Sequence, residues 1–105
     1  MDYIAKIHMW MQSNNFKILD YQVQNKIDKC IPDLLLTIQQ SDGKIGTLIA
    51  EVELSGNKID KKLDNYSNVG FNNVLIFTNK LNLFDKEIHK NMKINIIKLQ
   101  ELDRF

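Results

Sequence analysis

Several residue types are nearly missing from this 105-residue chain, and each shortage excludes something. There is one cysteine, Cys30, so no intrachain disulfide can form, which fits a reducing compartment. Cys30 is followed by Ile31 and Pro32 and has no histidine near it in sequence, so it reads as a packed thiol rather than a nucleophile. No glycine-rich phosphate loop and no paired-cysteine motif is present. No apolar run approaches the ~20 residues needed to cross a bilayer, and the N-terminal residues lack a signal-peptide layout. A soluble, cytoplasmic protein with no membrane partner is therefore expected. The chain also lacks a strong charge of either sign. A formal net charge of +1 gives no general attraction to nucleic acid, so any basic surface must be local.

What is present is an ordinary globular composition, 44% hydrophobic and 26% charged, in a chain long enough for one domain. The basic residues are thirteen lysines and one arginine, Arg104, and asparagine and isoleucine are abundant. That bias is typical of AT-rich coding genomes such as those of low-GC bacteria, their phages and plasmids.

Hydrophobic spacing divides the chain into alternating elements. Tyr3, Ile4, Ile7, Trp10 and Met11 recur at helical intervals and predict a helix over 2–12, broken by Ser13-Asn14-Asn15. Strands are predicted over 16–23, 31–39 and 45–54, with a polar loop over 24–30. A helix over 58–68 follows, its apolar face formed by Ile59, Leu63 and Tyr66. Residues 73–78 form a short buried-type strand, 83–92 a second helix, and 94–99 a last strand before a tail that extends or frays. The order αβββαβαβ, with no linker or repeat, implies a mixed sheet covered by helices. His8 reads as a packed or exposed residue, His89, between Lys86 and Lys90, as a surface residue, and Trp10 as core or interface.

The segment from Pro32 to Ser55 carries the chemistry. Side chains alternate along a strand, so Ile49, Glu51 and Glu53 share one face, and Asp33, Leu35 and Thr37 share one face of the preceding strand. A three-residue Ser41-Asp42-Gly43 turn with Gly43 left-handed pairs Gln40 with Lys44, Ile38 with Gly46, Leu36 with Leu48 and Leu34 with Ala50. Asp33 then falls opposite Glu51, unless Gly46 forms a bulge. Three converging carboxylates beside buried strands repel one another, and a divalent cation relieves that repulsion. Oxygen donors alone favour Mg²⁺ or Mn²⁺, the metals of phosphodiester hydrolysis. The alternative is that Asp33 only caps its strand and the glutamates face solvent.

The run Ile31-Pro32-Asp33, Glu51-Val52-Glu53-Leu54-Ser55 eighteen residues on, a lysine-rich helix ending in Tyr66, and the strand 73–78 resembles the PD-(D/E)XK nuclease superfamily. The run is more loosely similar to small domains of plasmids and conjugative elements, including the replication-relaxation type. The resemblance implies an αβββαβ restriction-endonuclease-like core with Asp33, Glu51 and the Val52 carbonyl as metal ligands. It places Glu53 where most members carry a catalytic lysine, and a lysine reaching back from the following helix is one replacement. Ser55, Lys58, Lys61 and Lys62 become candidate nucleic-acid contacts. The implied function is a metal-dependent DNA endonuclease or nickase from a mobile element, phage or plasmid, dimeric if it cuts both strands. The departures from the pattern, Glu53 and a first helix with only Asp2 as an acid, favour the alternative of an inactive DNA-binding or partner-binding accessory.

Overall fold

A computed structural model describes residues 2–105. Helix α1 (Tyr3–Ser13) is followed by strands β1 (Lys17–Val23), β2 (Leu34–Gln39) and β3 (Ile45–Glu53). Helix α2 (Asp60–Asn68), strands β4 (Asn73–Thr78) and β5 (Lys93–Lys98), and a closing 3₁₀ helix (Leu99–Arg104) complete the chain. The α/β arrangement is a five-stranded mixed sheet in the order β1-β2-β3-β4-β5, with β1, β2 and β3 antiparallel and β3, β4 and β5 parallel. Among the described residues, no helix is long and apolar enough to cross a membrane.

Local chemistry sets the first boundaries. The Asp2 carboxylate accepts the Ala5 N–H at 2.9 Å and starts α1, as a side-chain N-cap does. Asn15 takes a left-handed φ of 67° and Phe16 donates back to the Met11 carbonyl, which ends the helix at the asparagines. In the β2–β3 hairpin Gly43 has φ 85° and the Asp42 carboxylate accepts the Lys44 N–H at 2.9 Å. Gln40 donates to the Lys44 carbonyl, Ile38 pairs with Gly46, Leu36 with Leu48 and Leu34 with Ala50, the register predicted from the turn. Gly46 is regular; the sheet's bulge lies in β1, between Ile18 and Asp20.

Alternation along the strands separates two cores. Leu34, Leu36, Leu48, Ala50, Leu75 and Phe77 face α1 and the 3₁₀ helix, meeting Ile7, Met11 and Leu102. Ile49, Val74 and Ile76 face the other way, against Leu63 and Tyr66 of α2 and the buried Cys30 and Leu83. Trp10 is half-buried, edge-on to Phe77 at 5.2 Å, and His8 stands edge-on to Tyr21 at 4.8 Å.

Five expectations need correction. The strand expected over 31–39 begins at Leu34, and the tail expected to extend or fray forms the 3₁₀ helix Leu99–Arg104 with Leu102 buried. Residues 83–92 form successive turns and no regular helix. Asn82 is left-handed at φ 59°, the Asp85 carboxylate accepts the Glu87 N–H, and the Asp60 carboxylate accepts the Asp85 N–H, so side chains supply what a helix would. His89 is buried rather than superficial: its Nε2 lies 2.7 Å from Asp60 Oδ1 and its Nδ1 3.6 Å from Asp64 Oδ1. α2 begins at Asp60 rather than Lys58, with Ile59 as its N-cap residue, and the otherwise free Ile59 N–H donates to the Leu83 carbonyl at 2.8 Å. The 79–92 crossover is thus pinned to α2 by Leu83 and His89. His89→Ala should raise cleavage by a nonspecific protease within 82–92 about tenfold while leaving the sheet's far-UV signal intact.

Candidate functional site

β3 is the central strand, and its last residues carry the acids. Glu51 points into the α2 core and is 2% exposed, an unusual position for a carboxyl group. Asp33 lies just before β2, in the turn that follows the buried Pro32. Its Oδ2 accepts the Val52 N–H at 2.9 Å. The ladder alternation explains this contact. Gln40 and Lys44 form a hydrogen-bonded pair, and counting down by twos reaches Leu34 with Ala50 and then Pro32 with Val52. Pro32 has no N–H to give, so the ladder ends there. The Asp33 side chain takes the Val52 N–H, and the Val52 carbonyl loses its ladder donor.

α2 supplies the rest of the site. Lys62 and Tyr66 are four residues apart and therefore share a helix face. The Tyr66 hydroxyl donates to Glu51 Oε1. Lys62 Nζ lies 2.7 Å from Glu53 Oε1 and 3.7 Å from Glu51 Oε2, spanning both glutamates of β3. Thr78 of β4 donates to the Glu53 carbonyl at 2.7 Å and fixes the end of the strand.

Burial and the neighbouring Asp33 charge push the Glu51 carboxyl up to about 8, against the Tyr66 hydroxyl and the Lys62 charge, which favour ionisation. Burial works against the Lys62 ammonium, but its bond to Glu53 and the charges of Glu51, Glu53 and Asp33 outweigh that and hold it above its ordinary value. Burial beside Glu51 raises the Tyr66 phenol strongly, so it remains a donor. Burial also raises the Cys30 thiol, with Asp28 and Glu51 adding to it; the packed thiol expected from sequence is what forms.

Asp33 and Glu51 therefore come together, and Glu53 lies on the same face with its carboxylate turned to Lys62. Among the described residues, no group of three or more His, Cys, Asp or Glu side chains stands in an arrangement that holds a metal ion. The donors that remain for a cation are two carboxylates and the Val52 carbonyl. That set suits Mg²⁺ or Mn²⁺, which keep several waters of their own. A cation also answers an electrostatic strain here, a carboxyl whose proton affinity is raised by burial and then by its acidic neighbour. The other candidates lie apart from this cluster. Ser55 accepts the Asn57 N–H in an exposed turn, Lys58 donates to the Asn82 carbonyl, and Lys61 is exposed. Tyr66 went unread as a polar residue because its spacing marks it only as core; its position four residues after Lys62 was the available signal.

No family model matches the sequence, and no curated protein or solved structure matches it either.

Two outcomes test the electrostatics in metal-free protein. The Glu51 carboxyl titrates near 4.5 when unfolded and about 8 when folded. Below the lower value both states hold the proton. Between the two, unfolding releases it, so stability falls as pH rises and levels off above 8. Glu51→Gln removes this slope. It should be more stable than the parent by about 2–4 kcal/mol at pH 8.5, with little difference at pH 4, in urea titrations. Tyr66→Phe takes away the donor and should cost about 1–2 kcal/mol at pH 6.

Proposed function

We propose that this domain hydrolyses phosphodiester bonds in DNA with Mg²⁺ or Mn²⁺, as a variant of the PD-(D/E)XK nucleases with an αβββαβ restriction-endonuclease-like core. In this reading the lysine comes from α2 instead of β3. The observation that supports it is Lys62: its ammonium reaches back to both Glu51 and Glu53, beside Asp33, from the helix that joins β3 to β4. The order of the first six elements and the antiparallel-to-parallel change at β3 agree with such a core.

Each residue then has a physical task. Asp33, steadied by the Val52 N–H, and Glu51, steadied by the Tyr66 hydroxyl, present carboxylates to the metal together with the Val52 carbonyl. The bound ion would supply Lewis-acid polarisation of a phosphoryl oxygen and acidify a water. Lys62, anchored by Glu53, orients the attacking water by hydrogen bonding and offsets the negative charge that grows on the phosphoryl group. Cutting both strands takes two such sites and hence a homodimer; one chain suffices to nick. A mobile-element origin and a cytoplasmic setting fit the lysine-rich composition and the single cysteine.

One observation favours a second reading, a non-catalytic accessory of the same fold that binds DNA or a protein partner. Among the described residues, every buried side-chain polar atom has a partner, so the Glu51–Tyr66–Lys62–Glu53 network closes without an ion. Incubation with supercoiled plasmid and with single-stranded circular DNA decides between them. The hydrolytic reading expects open-circular or linear product with Mn²⁺ or Mg²⁺ and none in EDTA, with Asp33→Asn and Lys62→Met slower by about 100-fold or more. Intact supercoiled plasmid and intact single-stranded circular DNA with the parent protein, or undiminished cutting by both variants, refutes hydrolysis at this site. A metal-independent, salt-sensitive gel shift without cutting is the mark of the accessory.

A further inference from the structure

The exposed side of α2 borders a cleft of about 340 Å³, closed on its far side by the turn that leads into Asp33. Lys29, Ile31, Lys61, Lys62 and Tyr66 line it. Two of these residues are already part of the acid cluster: Lys62 pairs with Glu51 and Glu53, and Tyr66 donates to Glu51. The cleft and the carboxylates therefore share a wall. Lys29 and Lys61 belong to the cleft alone, and among the described residues neither makes an ion pair. Ile31 is 57% exposed at the rim, an apolar side chain with no protein group over it.

Two ammonium groups without an ion pair among the described residues, Lys29 and Lys61, and an apolar wall in one small concavity suit a ligand that is anionic at one end and flat and apolar at the other. The volume is at the lower end of small-molecule sites, which start near about 300 Å³, and suits a single nucleotide. A duplex does not present that shape. Its bases are stacked and paired, so only an unstacked base reaches Ile31, as in single-strand recognition. Net charge argues the same way. At +1 overall, the chain has no general attraction for a duplex backbone, and Lys29 and Lys61 supply positive charge locally.

We infer that this cleft holds one unpaired nucleotide of a single-stranded nucleic acid, its phosphate on Lys29 and Lys61 and its base against Ile31. Resting on the hydrolytic reading above, this makes single-stranded or locally opened DNA the substrate class, with the neighbouring phosphodiester passing the Lys62 wall toward Asp33 and Glu51. The β1–β2 connection thus serves two purposes: its end places Asp33, and Lys29 and Ile31 just before it grip the strand.

The test is fluorescence anisotropy with a short 5′-labelled single-stranded oligonucleotide and the matching duplex, both in EDTA. Binding is thereby read without cleavage, and failure of the cleft is distinguishable from failure of hydrolysis. The parent protein should bind the single strand about tenfold more tightly than the duplex. The double variant Lys29→Ala/Lys61→Ala should weaken single-strand binding about tenfold and lower the slope of log affinity against log salt by about 1.4, two contacts at ~0.7 each. Lys17→Ala, exposed on the edge strand β1 and outside the cleft, should leave this affinity within about twofold of the parent. Equal affinity for duplex and single strand, no measurable single-strand binding, or a double variant within about twofold of the parent overturns the inference.

Discussion

Everything at the candidate site depends on one carboxyl group placed where water cannot solvate it. Glu51 sits on the middle strand under α2, and isolated burial of a carboxylate there would cost several kcal/mol. The fold meets that cost with two groups from one helix face, the Tyr66 hydroxyl and the Lys62 ammonium. It also adds to the cost by setting Asp33 alongside. A core built only for stability gains nothing from two acids in contact. Apolar residues fill the equivalent space at Ile49 two positions earlier on the same face of β3. Burial, with Asp33 alongside, raises the proton affinity of Glu51; under the proposal above, that proton leaves when a cation binds.

Pro32 links this electrostatics to the backbone. The β2–β3 register ends at Leu34 with Ala50, Pro32 has no N–H to offer the Val52 carbonyl, and the Val52 N–H goes to the Asp33 carboxylate. The N–H then positions Asp33 beside Glu51. A residue with an N–H at that place would continue the ladder and take the carbonyl away. The chain's only proline thus shapes the edge of the site as well as the start of a strand.

The hairpin was legible before any coordinates, because two independent signals agreed on it: a Ser-Asp-Gly turn that demands a left-handed glycine, and an alternation that puts Leu34, Leu36, Leu48 and Ala50 together. The β4 strand and α1 were legible for a similar reason, since their patterns match one period only. Residues 83–92 were not. Their composition permits a helix, and what prevents it is contact with α2: Asp60 engaging the Asp85 backbone and His89, and Leu83 bonding Ile59. Partners 25 and 29 residues away leave no local trace. Tyr66 was hidden differently. Its ring belongs to the core and its hydroxyl to the site, and periodicity registers only the ring. The lysine that reaches back from α2 was foreseeable as a class, but only geometry selects Lys62 over Lys58 and Lys61.

The central claim is that Asp33, Glu51 and the Val52 carbonyl hold a hard divalent cation beside Lys62. Anomalous diffraction from a crystal soaked in Mn²⁺ at pH 8 tests it most directly. The account predicts one manganese peak within about 2.5 Å of an oxygen of Asp33 and of Glu51, with Lys62 still bound to Glu53. Crystals that diffract well and show no peak between these carboxylates, or manganese bound only elsewhere on the surface, would contradict it.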